Sequence, residues 1–391
     1  MKKFFKVSTY MVLSTMLAFN FSSCKDDNGS GSDGIDTEKD KAFQAITTQF
    51  VNHTVITTYK SLADKTDALV ERLQALKENK TDANVKSTCD IFLDARAQWE
   101  LSEAFLFGAA TDFGIDPHID SWPLDVTILL NELKNQEHLE FMAAEDGDKW
   151  AGAKLGPELL GFHGIEYIIF KNGQPKPATE ITDNEMTYAV AVSGDLRNKC
   201  FQLEAAWAGE NGTTAGRYSK VVDDLEERVT VNGGEYSYGD NMLNAGQAGS
   251  TYKTWTAAAQ QIIDGCKTIA DEVGASKIGK PHTGADKTYI ESPYSHNSIT
   301  DFYDNIKSIE NAYMGGVENE RGSSLHDYLA KENADLDKKV TSAITNALTK
   351  IKAMKAPFVL NYTDASCQEA MDACKTLDDV LTAAKAELAK E

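Results

Sequence analysis

Residues 156–170 form a mostly apolar run that holds one histidine and one carboxylate after its first turn, His163 and Glu166. If the run is helical, the spacing of three places both side chains on one face. A carboxylate buried there needs a cation, a hydrogen-bond donor or a metal ion as its partner. Imidazole together with carboxylate suits iron, zinc or manganese. The pair therefore predicts either a metal site or a structural His–Glu pair.

The same run predicts a central helix over residues 157–170, because Pro157 suits a first helical turn and apolar side chains follow in every direction. Gly161 and Gly164 lie inside that helix, where each costs about 1 kcal/mol relative to alanine. We expect them to form a strip beside His163 that a neighbouring backbone or a ligand can approach closely. Tight helix packing is the alternative.

A second helix, predicted over residues 85–107, also carries charge on an apolar face. Arg96, Trp99 and Glu103 follow one another at helical spacing. Either Arg96 and Glu103 belong to the same site as His163, or Arg96 pairs with Glu100 four residues on and Glu103 is half exposed.

Residues 108–124 predict a polar loop in which Asp116, His118 and Asp120 alternate, followed by Trp122. The alternation can present carboxylate and imidazole to one ion, or it can serve Asx turns. His53, three residues after Phe50 in the first predicted helix, is expected on the inward side, as a core histidine or a site-lining residue.

Helical periodicity runs through most of the chain, and no strand–helix alternation appears. We predict an all-α protein of two helical-bundle-like domains, residues 41–230 and 231–391, with a crevice between them. Residues 231–239 have hairpin-turn chemistry and are the only plausible strand pair, but we interpret them as a loop near the domain junction. The motifs HExxH, GxSxG and GxxxxGK[ST] are absent from the sequence, so common zinc-protease, hydrolase and nucleotide-binding templates do not apply.

The first 23 residues have the lysines and short apolar run of a secretory signal peptide. Ser22-Ser23-Cys24 is similar to a bacterial lipobox, which would make Cys24 the lipidated N-terminus, and residues 24–40 predict a flexible tether. Lys25-Asp26-Asp27 resembles a tag for display on the outer surface of the outer membrane. A periplasmic location, or an ordinary cleaved signal, stays open. The five other cysteines are expected as buried thiols.

The 391-residue chain has a formal net charge of −21, which argues against nucleic acid as a partner and is compatible with cations.

Three segments together resemble the imelysin family, also classed as M75 peptidases. Gly161-Phe-His163-Gly-Ile-Glu166 looks like the family's GxHxxE motif, residues 96–105 resemble its RxxWxxSEAF helix, and residues 120–125 resemble its WPLD segment. The resemblance implies a two-bundle helical fold and a site gathered around the GxHxxE helix. The resemblance also implies that Glu103, Asp120 and Trp122 belong to the same site as His163 and Glu166.

Relatives of this family include the peptidase-like domain of bacterial iron-uptake proteins. The resemblance therefore implies a metal site of His163, Glu166, Glu103 and Asp120 that takes iron or zinc, with iron-uptake proteins as candidate partners. Three functions remain open: metal binding in iron uptake, metal-dependent peptide cleavage, and a structural or partner-binding lipoprotein. A catalytic zinc site needs about three protein ligands, an open position and a general base, of which one HxxE pair supplies only part.

Overall fold

A computed structural model describes residues 37–390, which belong to one compact unit. The predicted signal peptide, the lipidation site at Cys24 and most of the tether lie outside the described residues and stay predictions. None of the described helices is long and apolar enough to cross a membrane.

The all-α prediction is confirmed by nineteen α-helices in the described residues. The first twelve are α1 Glu38–Phe50, α2 Ile56–Glu78, α3 Asp82–Glu100, α4 Ala109–Asp112, α5 Asp116–Ile119, α6 Val126–Glu132, α7 Gln136–Met142, α8 Gly147–Lys154, α9 Gly161–Ile169, α10 Asp183–Gly212, α11 Arg217–Ser219 and α12 Tyr238–Leu243. The rest are α13 Trp255–Asp271, α14 Gly279–Thr283, α15 Ser298–Tyr313, α16 Leu325–Glu332, α17 Ala334–Lys352, α18 Phe358–Asn361 and α19 Ala365–Leu388.

Shorter helical turns connect these helices. The π-helical turns are Val51–Val55, Lys220–Asp224 and Glu272–Ile278, and the 3-10 turns are Glu103–Phe105, Pro157–Leu159, Ala178–Glu180, Val231–Gly233 and Glu318–Glu320.

The long helices pack in two groups. In the first, α2 packs on α3 and α10, and α8 and α9 also pack on α10; in the second, α13, α15, α17 and α19 pack on one another. Contacts of α1 with α13 and of α3 with α15 join the groups. These contacts join the described residues into one compact unit. The predicted domain boundary at residue 231 therefore stays a prediction.

Residues 231–239 form no strand, as their interpretation as a loop predicts, but they are not the only segment that could pair. Among the described residues, the ladder joins β1 Phe170–Lys171 to antiparallel β2 Gln174–Pro175. Asn172 and Gly173 have φ of 53° and 75°, as two-residue hairpin turns require. Strands of two residues are too short to show alternation in sequence.

The predicted central helix is also shorter than expected. Pro157–Leu159 is a 3-10 turn, and α9 begins only at Gly161, whose φ is +72°. Eight of the nine residues of α9 are buried, so its enclosed position agrees with its apolar sequence.

Candidate functional site

Five parts of the chain bring charged side chains together in the interior. α3 supplies Arg96 and Glu100, and the 3-10 turn that follows it supplies Glu103. Asp120 directly follows α5, and α9 supplies His163 and Glu166. The π-helical turn after α13 supplies Lys277, Glu291 precedes α15, and Asp301 lies within α15. All of these residues are buried. We call them the central cluster.

His163 lies between two carboxylates. Its Nε2 is 2.9 Å from Asp120 Oδ1 and its Nδ1 is 3.4 Å from Glu166 Oε2. Burial by itself would lower the pKa of His163, but the contacts with Asp120 and Glu166 raise that pKa to about 9. The imidazole is therefore in its positively charged form at neutral pH when the cluster holds no other ion.

Glu166 uses its other oxygen to hold a loop. Oε1 accepts hydrogen bonds from the backbone N–H of Tyr294 (3.0 Å), the backbone N–H of Ser295 (2.7 Å) and the Ser295 hydroxyl (2.7 Å). Three donors satisfy this oxygen, so the anion is stabilised without a metal.

Arg96 is the permanent cation at the centre of the cluster. It contacts Asp120 and Glu291 through its two Nη atoms, and its Nη2 lies 2.5 Å from Glu100 Oε1. Burial disfavours the charged guanidinium, but the surrounding carboxylates outweigh this and raise the pKa of Arg96. Arg96 thus neutralises part of the carboxylate charge.

Lys277 is the second buried cation. Its Nζ lies 3.2 Å from Glu291 Oε1, 3.3 Å from Glu103 Oε1 and 3.6 Å from Glu100 Oε2. It also lies 5.2 Å from the centre of the Trp122 ring, within cation–π range. Burial opposes its charge, yet the carboxylates hold the pKa of Lys277 above its ordinary value.

The carboxyl groups differ in how well their charge is compensated. Burial raises the pKa of both Glu100 and Glu103, and the cations only partly oppose this. Asp120 behaves in the opposite way: burial disfavours its charge, but Arg96 and His163 together lower its pKa. Trp99 Nε1 also donates to Asp120 at 2.8 Å. Six buried carboxyl groups thus face two permanent cations and His163.

Some polar atoms in or beside the cluster lack an aligned hydrogen bond among the described residues, and they include His163 Nε2, Glu291 Oε2 and Trp122 Nε1. The Nε2 atom approaches Asp120 closely but without the alignment of a hydrogen bond. In native proteins, buried polar atoms are nearly always satisfied, so such orphans indicate a missing partner.

Three sets of side chains bring ligand atoms within 4.8 Å of one another in the described part of the chain: Asp120, His163 and Glu291; Glu100, Glu291 and Asp301; and Glu100, Glu103 and Asp120. The first set contains an imidazole and two carboxylates and both orphaned atoms His163 Nε2 and Glu291 Oε2. This donor set suits iron, zinc or manganese.

A cavity of about 160 Å³ adjoins His163 and is lined by Trp122, Tyr294 and neighbouring apolar residues. One water occupies about 30 Å³ of liquid. The cavity is therefore of a size for a small ion or a few waters, and too small for a stretch of polypeptide.

Most side chains predicted for the site meet in the cluster. Arg96, Glu103, Asp120, His163 and Glu166 are buried together, with Trp122 at the edge, where its ring centre is 6.0 Å from that of His163. Arg96 also makes the predicted i,i+4 pair with Glu100. The predicted pairing of Arg96 with Glu100 is thus found inside the cluster, whereas the prediction of a half-exposed Glu103 is wrong, because Glu103 is buried.

His53 was predicted on the inward side, and this is wrong. Its side chain is 47% exposed and Nδ1 lies 3.1 Å from Glu320 Oε2 at the surface. His53 belongs to the π-helical turn Val51–Val55. A π turn adds one residue and changes the face that follows, which the α-helical period does not anticipate.

The two glycines of α9 serve packing. A Cβ at Gly161 would lie 2.1 Å from the carbonyl oxygen of Ile119, and one at Gly164 would lie 2.2 Å from the Tyr188 hydroxyl. Protein atoms thus fill the strip that we expected beside His163, and the backbone of α5 is what approaches it.

Glu291, Lys277 and Asp301 were missed by the sequence reasoning. Lys277 lies in a helical stretch and Glu291 in an irregular connection. Neither residue has a second site residue three or four positions away that would mark a shared helix face. The available signal was a long non-periodic segment containing Glu-Ser-Pro, which is the kind of loop that carries functional residues.

A sequence model of the imelysin family, Peptidase M75, matches residues 55–384 of the chain. The chain belongs to the imelysin family. The GxHxxE resemblance is thereby confirmed by a match over most of the chain.

Relatives of this imelysin-family protein carry iron in their names. Iron-regulated protein A of Synechococcus elongatus is 26% identical over 316 residues, covering 80% of this chain and 76% of that protein. A crystal structure described as that of an iron-regulated protein A precursor from Parabacteroides distasonis is 27% identical with a TM-score of 0.72, over 91% of this chain and 97% of that chain. An imelysin-like protein from Psychrobacter arcticum shares the fold at 13% identity with a TM-score of 0.59, over 87% and 93% of the two chains.

Proposed function

We propose that the protein binds one divalent metal ion, iron in its physiological setting, through Asp120, His163 and Glu291. The observation that carries the proposal is a pair of buried atoms without an aligned hydrogen bond, His163 Nε2 and Glu291 Oε2, on two residues of a metal-competent set. The names of the relatives, iron-regulated protein A, support iron over the other metals that this donor set accepts.

The proposed ligands differ from the predicted set in two ways: Glu291 replaces Glu166, and Glu103 is no longer a ligand. Glu291 takes the place of Glu166, because the Oε1 atom of Glu166 is fully occupied by loop donors. Glu103 pairs with Lys277 and acts on the charge of the site. Carboxylate and imidazole are the donors in both sets.

Arg96 bears on the strength of binding. It contacts both carboxylates of the proposed set, so a metal ion would share them with a fixed positive charge. Repulsion between like charges in a partly dry interior weakens binding. We therefore expect exchangeable binding, which suits a protein that takes up or passes on a metal.

Peptide cleavage, the activity in the family's name, is the second candidate. The cavity beside His163 holds about 160 Å³, which favours an ion and its waters over a peptide substrate. A structural role for the buried ion pairs is the third, and it predicts no metal binding.

Titration calorimetry of the metal-free protein with iron(II) under anaerobic conditions, and with zinc(II), tests the proposal. We expect wild type to bind one ion at micromolar concentrations or tighter, and Glu291→Gln and His163→Ala to lose at least about tenfold in affinity. His53→Ala is the matched control, because it removes a histidine that also contacts a glutamate but lies at the surface.

Two results would contradict the proposal. Absence of binding by wild type at micromolar metal would favour a structural cluster, and so would unchanged binding by Glu291→Gln. Chelator-sensitive cleavage of a peptide library by wild type, lost in His163→Ala, would favour the peptidase.

A further inference from the structure

The residues 291–297 form a segment that covers the central cluster from outside. Its first residue is Glu291, and Pro293 and Tyr294 line the cavity beside His163. Glu291 and Ser292 are buried, whereas residues 293–297 are half-buried, so the segment has an inner and an outer side. Movement of this segment would displace Glu291 and open the cavity.

On one side the segment is tied to the start of α15. Asp301 accepts hydrogen bonds from the Ser292 hydroxyl (2.5 Å) and the Asn297 amide (2.6 Å), and the Ser298 hydroxyl donates to the carbonyl oxygen of Glu291 (2.5 Å). These ties join the segment to the helix that directly follows it, so they can persist if it moves.

On the other side the ties come from α9 and the hairpin after it. Glu166 Oε1 accepts the three hydrogen bonds from Tyr294 and Ser295 described above. Gly173 N–H donates to the Tyr294 carbonyl at 2.8 Å, and the rings of Tyr167 and Tyr294 meet edge to face at 5.1 Å. Glu166 is the charged member of this set, and hydrogen bonds to a charged group are the stronger ones.

The backbone of the segment is also strained at both ends of this contact. Ser292 and His296 have φ of 48° and 61°, in the left-handed region that non-glycine residues seldom adopt. Such conformations persist only where surrounding contacts enforce them, and they concentrate in parts that move or act. Here the contacts on the residues between them include those of Tyr294 and Ser295 with Glu166 and that of Tyr294 with Gly173.

We propose that Glu166 is a positioning residue that latches the 291–297 segment, and that release of the latch withdraws Glu291 and lets the metal ion enter or leave. The second half of this inference rests on the proposed metal site, whereas the latch itself does not. The GxHxxE pair then divides its tasks: His163 faces the ion, and Glu166 holds the segment that supplies Glu291.

Hydrogen–deuterium exchange of the metal-free protein tests the latch directly. We expect the amides of Tyr294 and Ser295 to exchange on the order of tenfold faster in Glu166→Gln and in Ser295→Ala than in wild type. Ser295→Ala removes a donor to the latch and leaves every carboxylate in place. Glu71→Gln and Ser342→Ala change an exposed glutamate and an exposed serine elsewhere and should leave these amides as in wild type.

Dissociation of bound zinc into excess chelator, followed by stopped flow, tests the coupling to the site. We expect Ser295→Ala to speed dissociation on the order of tenfold, because the closed segment is less populated. If Glu166 were only a metal ligand, Ser295→Ala would change neither the exchange of the segment nor the dissociation rate.

The outcomes separate the two proposals. Unchanged exchange at residues 294 and 295 in both variants overturns the latch, and faster exchange with unchanged dissociation overturns its control of the site. If wild type binds neither iron nor zinc, the proposed function fails, while the exchange rates still decide whether Glu166 holds the segment.

Discussion

Two histidine–carboxylate pairs lie on opposite sides of α5. On the inner side, His163 contacts Asp120 at 2.9 Å and only 2% of its side chain is exposed. On the outer side, His118 Nδ1 lies 3.0 Å from Asp195 Oδ2, and 24% of the His118 side chain is exposed beside a cavity of about 410 Å³. His118 and Asp120 are only two residues apart, yet their side chains lie in different environments.

The difference between the pairs lies in what surrounds them. The inner pair is enclosed with two cations and five further carboxyl groups, so each charge depends on its neighbours. In the outer pair, the His118 side chain is partly exposed, so solvent screens its charge. A His–Asp contact is therefore not a site by itself; enclosure and unsatisfied partner atoms give the inner pair its capacity to hold an ion.

Replacement of the inner cation should give the largest effect. Arg96→Met would leave Asp120, Glu291 and their neighbours facing one another without compensation, and we expect a loss of about 3–5 kcal/mol in the free energy of unfolding. Urea denaturation at neutral pH measures it.

The matched change near the outer pair is Arg197→Met. Arg197 Nη2 lies 3.1 Å from Asp148, and 17% of the Arg197 side chain is exposed, so we expect a smaller loss, of about 2 kcal/mol. Similar losses in the two variants would mean that enclosure does not distinguish the regions.

Changes at the contact between α5 and α9 should give a loss of stability of intermediate size. Gly161→Ala would place Cβ 2.1 Å from the Ile119 carbonyl oxygen at a φ of +72°, whereas Gly114→Ala has a φ of +64° and meets nothing within 4 Å. We expect about 1–2 kcal/mol for Gly114→Ala from backbone strain, and about 2 kcal/mol more for Gly161→Ala from the clash. Urea denaturation of both variants measures the difference, and equal losses would show that α5 can move away from α9.

A pH-dependent effect concerns Asp116, at the start of α5. Burial, with Asp120 as the next cause, raises the pKa of Asp116 to about 7. As pH rises from about 4 to 7, the unfolded chain ionises this group while the folded protein retains the proton, so the folded state loses stability. Asp116→Asn removes that loss.

We therefore expect Asp116→Asn to melt at a higher temperature than wild type above about pH 7, and the gain to shrink as pH falls toward about 4. Asp372→Asn, at an exposed position, is the control. A gain that grows as pH falls would show that Asp116 is ionised and stabilised in the folded protein.

The sequence by itself determined those features that depend on neighbours along one helix. Apolar periodicity identified the helices, and the spacing of three brought His163 and Glu166 to one face of α9. The spacing of four likewise anticipated the contact of Arg96 with Glu100. Charged residues inside apolar stripes also indicated the interior, because burial of charge is costly unless it is compensated.

Only the tertiary structure decided which distant side chains complete the cluster. Arg96 and Glu291 are 195 residues apart, and periodicity within single helices carries no information about how α3 meets the segment before α15. The inward direction of Asp120 and the outward direction of His118 depend on where α5 packs, since both follow the same loop in sequence. The tertiary structure also decided that Glu166 binds a loop. The hydrogen-bond donors at residues 294 and 295 reach Glu166 only in the folded chain, so helical spacing does not predict them.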